Sequence, residues 1–386
     1  MLSVFNVRYL EDEKPFFKKY WRFSDIGATV FIHVLTLSLY MPKLVTAEKM
    51  NQFACLIPPT LVSVHAVLKS LVLIPETRQI SEFIKELGSM WRVKFTSSQR
   101  QQKDAVLWQL NLINRATFWV AVCGTFQYLL SPLFETLFRR FILKQDCELL
   151  LPFATNYPFN PTKNWLIYFF VYIFQFYSMT VVVGIYTGAA LMMTTFCALL
   201  AIEFLMLRED LAQENPKPNR NRNRDIVTDD DDASIETFVE RHQKLLQLSR
   251  QLDNVFNGMV FIDILFVGIT TCAFGFMGQF ARGPGYMLVS YIGIVSSMLT
   301  VLYLCYYAEL LTGASSCIGD TAYNNLWYKG ESRYKFAIFF IIKMSQKPCC
   351  LTSLRYAVVS MGMFTKGRCS RKQHYTTLYG QKSSIK

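Results

Sequence analysis

Few side chains in this sequence are placed to do chemistry, and three of those that are stand inside long apolar runs. His65 and Lys69 lie four residues apart in the run 53–74 and so share one face of a helix. Asp263 falls within a second run, 255–280. A charged group near the centre of a bilayer costs roughly 2.5–3.5 kcal/mol, so such groups face a protein interior or a wet cavity. Two readings follow for His65 and Lys69: a ligand or ion path, or groups that snorkel or bond inside a helix bundle. Asp263 is a functional carboxylate or a hydrogen-bonded buried acid.

Other reactive residues form no pattern. The ten cysteines are scattered, with no CxxC pair and no histidine at ligand spacing, which suits small apolar side chains in a core. Cys349-Cys350, beside Pro348, would accept a palmitoyl group if they reach the cytoplasmic interface. His33, His65, His242 and His374 are dispersed, and the run Asp229 to Asp232 lacks the glycine and terminal glutamate of an EF-hand, so it reads as solvated charge. No phosphate-binding glycine loop, GxSxG elbow or HExxH is present. The chain is therefore predicted not to be an enzyme, with no catalytic residue, cofactor or metal.

The elements that must position these residues are set by composition. Of 386 residues 52% are hydrophobic, 15% aromatic and only 18% charged, against about 25% charged in soluble domains. Separated apolar stretches of about 18 residues or more, each able to cross roughly 30 Å of hydrocarbon, predict an all-α, polytopic membrane protein. The net charge of +12 lies in the polar links between apolar runs, not along one basic face, which argues against nucleic acid.

Residues 1–25 read as an amphipathic, aromatic and basic cytoplasmic segment, with no cleavable signal, so the first span would also direct insertion. Residues 26–212 hold spans one to four, at about 26–45, 53–74, 116–137 and 164–211, with a surface helix leading into span three. The loop at 141–163 contains LPFATNYPFNP, whose prolines forbid a long helix and whose aromatics predict an ordered lid. Span four is predicted as one long helix continuing into the cytoplasm, because no polar turn interrupts it. Residues 213–235 are a charged, disordered loop, with Ser234 as the N-cap of the next helix. Residues 236–311 hold that helix and spans five and six, 312–348 an anchor helix, 349–366 a short span seven, and 367–386 a polar tail. Seven spans with the amino terminus inside put most basic residues on the inner side: Arg8 to Arg22, Arg78 to Arg115, Arg208 to Arg250 and Lys329 to Lys347.

Aromatic and small residues gather toward the outer halves of spans two, three and four. Val64, His65, Phe126, Tyr128, Phe174, Tyr177, Ser178, Val181 and Tyr186 are the candidate ligand-binding residues, forming an apolar pocket with a few hydroxyls for a small volatile organic molecule. Ordinary helix packing is the competing account of each.

The stretch from Cys305 to Lys366 resembles the carboxyl-terminal signature of insect odorant receptors. Its landmarks stand here as Glu309, Ser315 or Ser316, Ala322-Tyr323, Trp327, Gln346-Lys347-Pro348 and Phe364. LPFATNYPFNP and RHQKLLQLSRQLDNVF extend the resemblance over about residues 150–364. It implies a subunit of an odorant-gated cation channel, formed as a hetero-oligomer, a tetramer, with the shared odorant receptor coreceptor. The place implied is the plasma membrane of olfactory neuron dendrites. It further implies a cytoplasmic helical anchor bundle between subunits that includes Tyr323 and Trp327, and a pore lined by Val358, Val359, Met361 and Met363. The sequence departs from the family after Phe364, where Lys366, Gly367, Arg368, Arg371 and Lys372 replace an apolar continuation. A gustatory-type or orphan chemoreceptor working without the coreceptor, and a polytopic transporter, are the alternatives; the transporter would call for internal repeats or paired half-helices, and neither is seen.

Overall fold

A computed structural model describes residues 16–45, 50–91, 95–142, 144, 149–153, 157, 159–161, 164–214, 230–280 and 284–362. The fold is all-α apart from one small hairpin. In chain order the helices are α1 (Phe16–Tyr40), α2 (Met50–Leu73), α3 (Thr77–Met90), α4 (Ser97–Leu137), α5 (Trp165–Gln213), α6 (Asp230–Phe280), α7 (Pro284–Asn324) and α8 (Ser332–Ser345). Strands β1 (Thr352–Ser353) and β2 (Ala357–Val358) follow as an antiparallel pair, Thr352 opposite Val358.

Among the described residues α2, α4, α5, α6 and α7 are long and apolar enough to cross a bilayer, and 26–40 of α1 is a shorter apolar helix. α5 is one unbroken helix of 49 residues. Its backbone satisfies itself throughout, as an apolar environment demands.

The chain divides into two compact units. The first comprises Met1–Thr77, Ile113–Leu191 and Phe261–Val301, and the second Arg78–Leu112, Met192–Val260 and Leu302–Lys386. In the first unit Leu37, Leu56, Leu129, Phe153 and Val182 form a buried cluster. Outward-facing side chains there are themselves large and apolar, as Trp119, Phe134 and Phe170 show. Water would not tolerate that face, whereas lipid would. Of the loop expected to form a lid, Phe153 is fully buried, stacks on Tyr128 at 5.4 Å, and has both its backbone N–H and carbonyl bonded by the Gln175 amide.

The second unit packs Phe204, Leu207, Leu245, Leu248, Ile318 and Ile341. Asn325 joins its helix ends, donating to the carbonyls of Leu211 and Glu214 and to the Tyr334 hydroxyl.

Four expectations are corrected. Residues 230–234, placed in a disordered loop, are the first turn of α6, so Ser234 is inside the helix and not its cap; 215–229 lie outside the described residues. The anchor at 312–348 is not one helix: α7 runs on to Asn324, Trp327–Lys329 make a 3-10 turn, and α8 follows. The surface helix before span three is two, α3 and the start of α4. Residues 351–360 are not helical. Their three-residue turn holds Leu354 and Arg355 at positive φ (47° and 61°), a conformation sparsely populated by side chains of this kind. Tertiary bonds hold it: the Asp253 carboxylate accepts from the Thr352 N–H at 2.6 Å and from its hydroxyl at 2.9 and 3.0 Å, and Arg355 donates to the Asn254 side chain at 3.0 Å. The backbone is helical again at Met361 and Gly362, and the Met361 N–H donates to Glu309 at 2.7 Å. Val358 and Val359 therefore belong to the hairpin and not to a pore helix, and Met363 lies outside the described residues.

Candidate functional site

The helices of the first unit line a half-open cavity of about 130 Å³. α2 contributes Pro59 and Val62, α4 Gly124 and Tyr128, and α5 Met179, Val183, Tyr186 and Thr187. Thr270 and Phe274 come from α6, and Ile292, Gly293, Ser296 and Ser297 from α7. Among the described residues no charged side chain lines it. That is the character of a site for a small neutral molecule: mostly apolar walls with a few fixed polar atoms.

Local sequence explains the walls. Pro59, inside α2, has no N–H, so the carbonyl four residues earlier, on Cys55, loses its helical partner. The Tyr128 hydroxyl supplies one at 3.0 Å, which pins that ring at the cavity's edge. Gly293 lets α7 approach Phe274: a Cβ there would stand 2.4 Å from the ring.

Beside the cavity is a buried polar cluster. His65 Nε2 and Lys69 Nζ of α2 converge on the same Asp263 oxygen of α6, at 2.8 and 2.7 Å, with all three residues no more than 2% exposed. Lys69 also donates to the Tyr186 carbonyl at 3.3 Å and lies 4.4 Å from that ring's centre. His65 packs edge-on to Tyr186 at 5.1 Å and stacks on Phe266 at 4.8 Å. Lys69 of span two and the carboxylate of span five thus neutralise each other, with His65 bonded to the same oxygen. Tyr186, which lines the cavity, sits on this cluster.

Of the nine residues expected to bind ligand, Tyr128 and Tyr186 line the cavity. Val64, His65, Phe126, Phe174, Tyr177, Ser178 and Val181 are outside its lining. Phe126 and Tyr177 are 41% and 46% exposed on the outer surface, because their helical positions point away from the bundle. Ser178 is buried against His33, 2.9 Å from its Nδ1. Sequence reasoning missed the contributions of α6 and α7, although the pairs Thr270-Thr271 and Ser296-Ser297 interrupt otherwise apolar runs and were a usable signal.

In the second unit Tyr323 is exposed at 68%, and Trp327 is half-buried in the 3-10 turn. Phe336 and Phe339 of α8 are exposed as well.

The comparisons with known proteins agree with this architecture. The profile of the family described as 7tm Odorant receptor matches residues 49–367. The chain belongs to that family. Among family members from Drosophila melanogaster, odorant receptor 67a is 25% identical over 261 residues, covering 65% of this chain and 62% of the relative. Odorant receptor 85b is 26% identical over 219 residues, covering 56% and 53%. The aligned part thus spans less than two thirds of the length of these two relatives. The solved insect olfactory receptor OR5 from Machilis hrabei superposes with a TM-score of 0.75 at 13% identity, over 92% of this chain and 89% of that one. Its complex with eugenol gives 0.74 at 14% identity. The chain therefore has the fold of the seven-helix odorant receptors and is a multi-pass membrane protein, not an enzyme.

Proposed function

We propose that this chain is an odorant receptor subunit that binds a small, neutral, volatile organic molecule in the cavity of its first unit and, with the shared coreceptor, forms a ligand-gated cation channel. The observation that carries the reading is the charge-free, hydroxyl-dotted cavity in a member of the odorant receptor family. A fold relative solved with eugenol supports ligands of this kind. Tyr128 and Tyr186 are the ligand contacts retained from the sequence, joined by Phe274, Thr270 and Ser297.

Gating requires the ligand to bind the open state more tightly than the closed one. The last helix, starting at Met361 and tethered through Glu309 to α7, is the pore element in this reading. The exposed aromatics Tyr323, Phe336 and Phe339, with Trp327, supply the contacts to neighbouring subunits. The amino terminus is cytoplasmic by the distribution of basic residues, and the setting is the plasma membrane of olfactory neuron dendrites.

The test is to express the chain with and without the coreceptor and record currents to an odorant panel. Currents are expected with the coreceptor alone present as partner. Odorant currents without it would remove the coreceptor from the reading, and uptake of a solute without current would replace the channel with a transporter. Trp327→Ala is expected to reduce co-purification with the coreceptor, and undiminished co-purification would contradict the anchor role.

A further inference from the structure

Resting on the odorant-receptor reading above, we infer that the cavity prefers a ligand that donates a hydrogen bond, an alcohol or phenol, over an aldehyde, ketone or ester of the same size. A hydroxyl carries one proton and two lone pairs, so a hydroxyl that has already donated can offer a ligand only an acceptor.

Most hydroxyls in the lining are in that position. Thr125 donates to the Ala121 carbonyl at 2.7 Å, and Thr270 to that of Phe266 at 2.6 Å. Tyr128 donates to the Cys55 carbonyl at 3.0 Å. Ser297 donates to the Ile294 carbonyl at 2.9 Å, so its 3.0 Å contact with Thr271 takes the threonine's proton. Four lining hydroxyls have thus committed their protons. Back-bonding to the carbonyl a turn earlier is what such residues do inside apolar helices.

Thr187 and Ser296 are the lining hydroxyls with no side-chain bond among the described residues. They hold protons that a ligand carbonyl can take. A ligand hydroxyl can accept from these two and can also donate to the four committed oxygens, whereas a carbonyl oxygen set against those four faces lone pairs. Size narrows the class further: about 130 Å³ is near the engineered 150 Å³ cavity that holds benzene, so the walled part of the site takes a ring or short chain of roughly six to eight non-hydrogen atoms.

The test pairs hexan-1-ol with hexanal and benzyl alcohol with benzaldehyde, applied to cells expressing the chain with the coreceptor. Half-maximal concentrations are corrected for membrane partitioning. The alcohol of each pair is expected to act at about tenfold lower concentration, the worth of one neutral hydrogen bond. Thr270→Val or Thr125→Val should narrow that ratio, and Thr187→Val with Ser296→Ala should widen it. Equal or greater potency of the aldehydes in the unaltered protein would overturn the inference while leaving the receptor reading intact. Silence to both series and to a broad odorant panel, with surface expression verified, would overturn the receptor reading and this inference with it.

Discussion

Replacing Lys69 by methionine tests the buried cluster most directly. The substitution keeps the length and apolar stem of the side chain but removes the ammonium 2.7 Å from Asp263, a carboxylate only 2% exposed. At an effective dielectric of about 20, two unit charges at that separation attract by about 6 kcal/mol. Desolvation of both ions cancels part of this, and removing one partner of a buried pair costs about 3–5 kcal/mol because the other charge is left behind. His65 still bonds the same oxygen, so the lower end applies. A loss of about 3 kcal/mol is roughly a hundredfold in the folding equilibrium. The assay is thermal melting of the detergent-solubilised protein followed by size-exclusion fluorescence, with Lys69→Met, Asp263→Leu and the double variant compared. Each single variant should melt several degrees lower, and the double variant should recover to within about 1 kcal/mol of the parent, since it leaves no unpaired charge. Refutation would come from a Lys69→Met protein that melts like the parent, or from a double variant as unstable as the sum of the singles.

Three further outcomes are expected. Gly293→Ala puts a methyl 2.4 Å from the Phe274 ring, which must swing into the cavity it lines; a loss of about 1–3 kcal/mol in stability and a loss of ligand response should follow, and a fully responsive variant would contradict the packing. Asp253→Ala removes the acceptor of three hairpin bonds, so amides of 351–359 should exchange with deuterium at least about tenfold faster while α5 stays protected, and unchanged exchange would show that the latch is not needed. Burial raises the Cys349 thiol above its ordinary value, and burial with the nearby Asp253 charge raises Cys350. A raised value means less thiolate at a given pH, so iodoacetamide should modify both slowly near pH 7.5, faster as pH climbs past the usual thiol range, and at the ordinary rate after denaturation. Rapid labelling of the folded protein at neutral pH would refute this and would favour acylation at the pair.

Particular elements show where sequence reasoning ended. The length of α5 was legible because an unbroken apolar run with no polar turn has few ways to satisfy its backbone other than as one helix. The shared face of His65 and Lys69 followed from helical spacing alone. Their pairing with Asp263, 198 residues beyond His65, did not, since any of several helices could have been the neighbour. Phe126 and Tyr177 failed as ligand contacts because an aromatic suits lipid and pocket equally well, and rotation of the helix chooses between them.

The sequence by itself determined the class of the molecule: apolar run lengths, sparse charge and a carboxyl-terminal signature specify a helical membrane protein of one family. Only the tertiary structure decided that α6 and α7 complete the cavity, that its hydroxyls have mostly spent their protons, and that residues 351–360 form a hairpin. The reason is that helix formation in an apolar run is a local bargain between a backbone and itself. The cavity and the hairpin depend on bonds such as Tyr128 to Cys55 and Thr352 to Asp253, whose partners are brought together by packing and not by spacing.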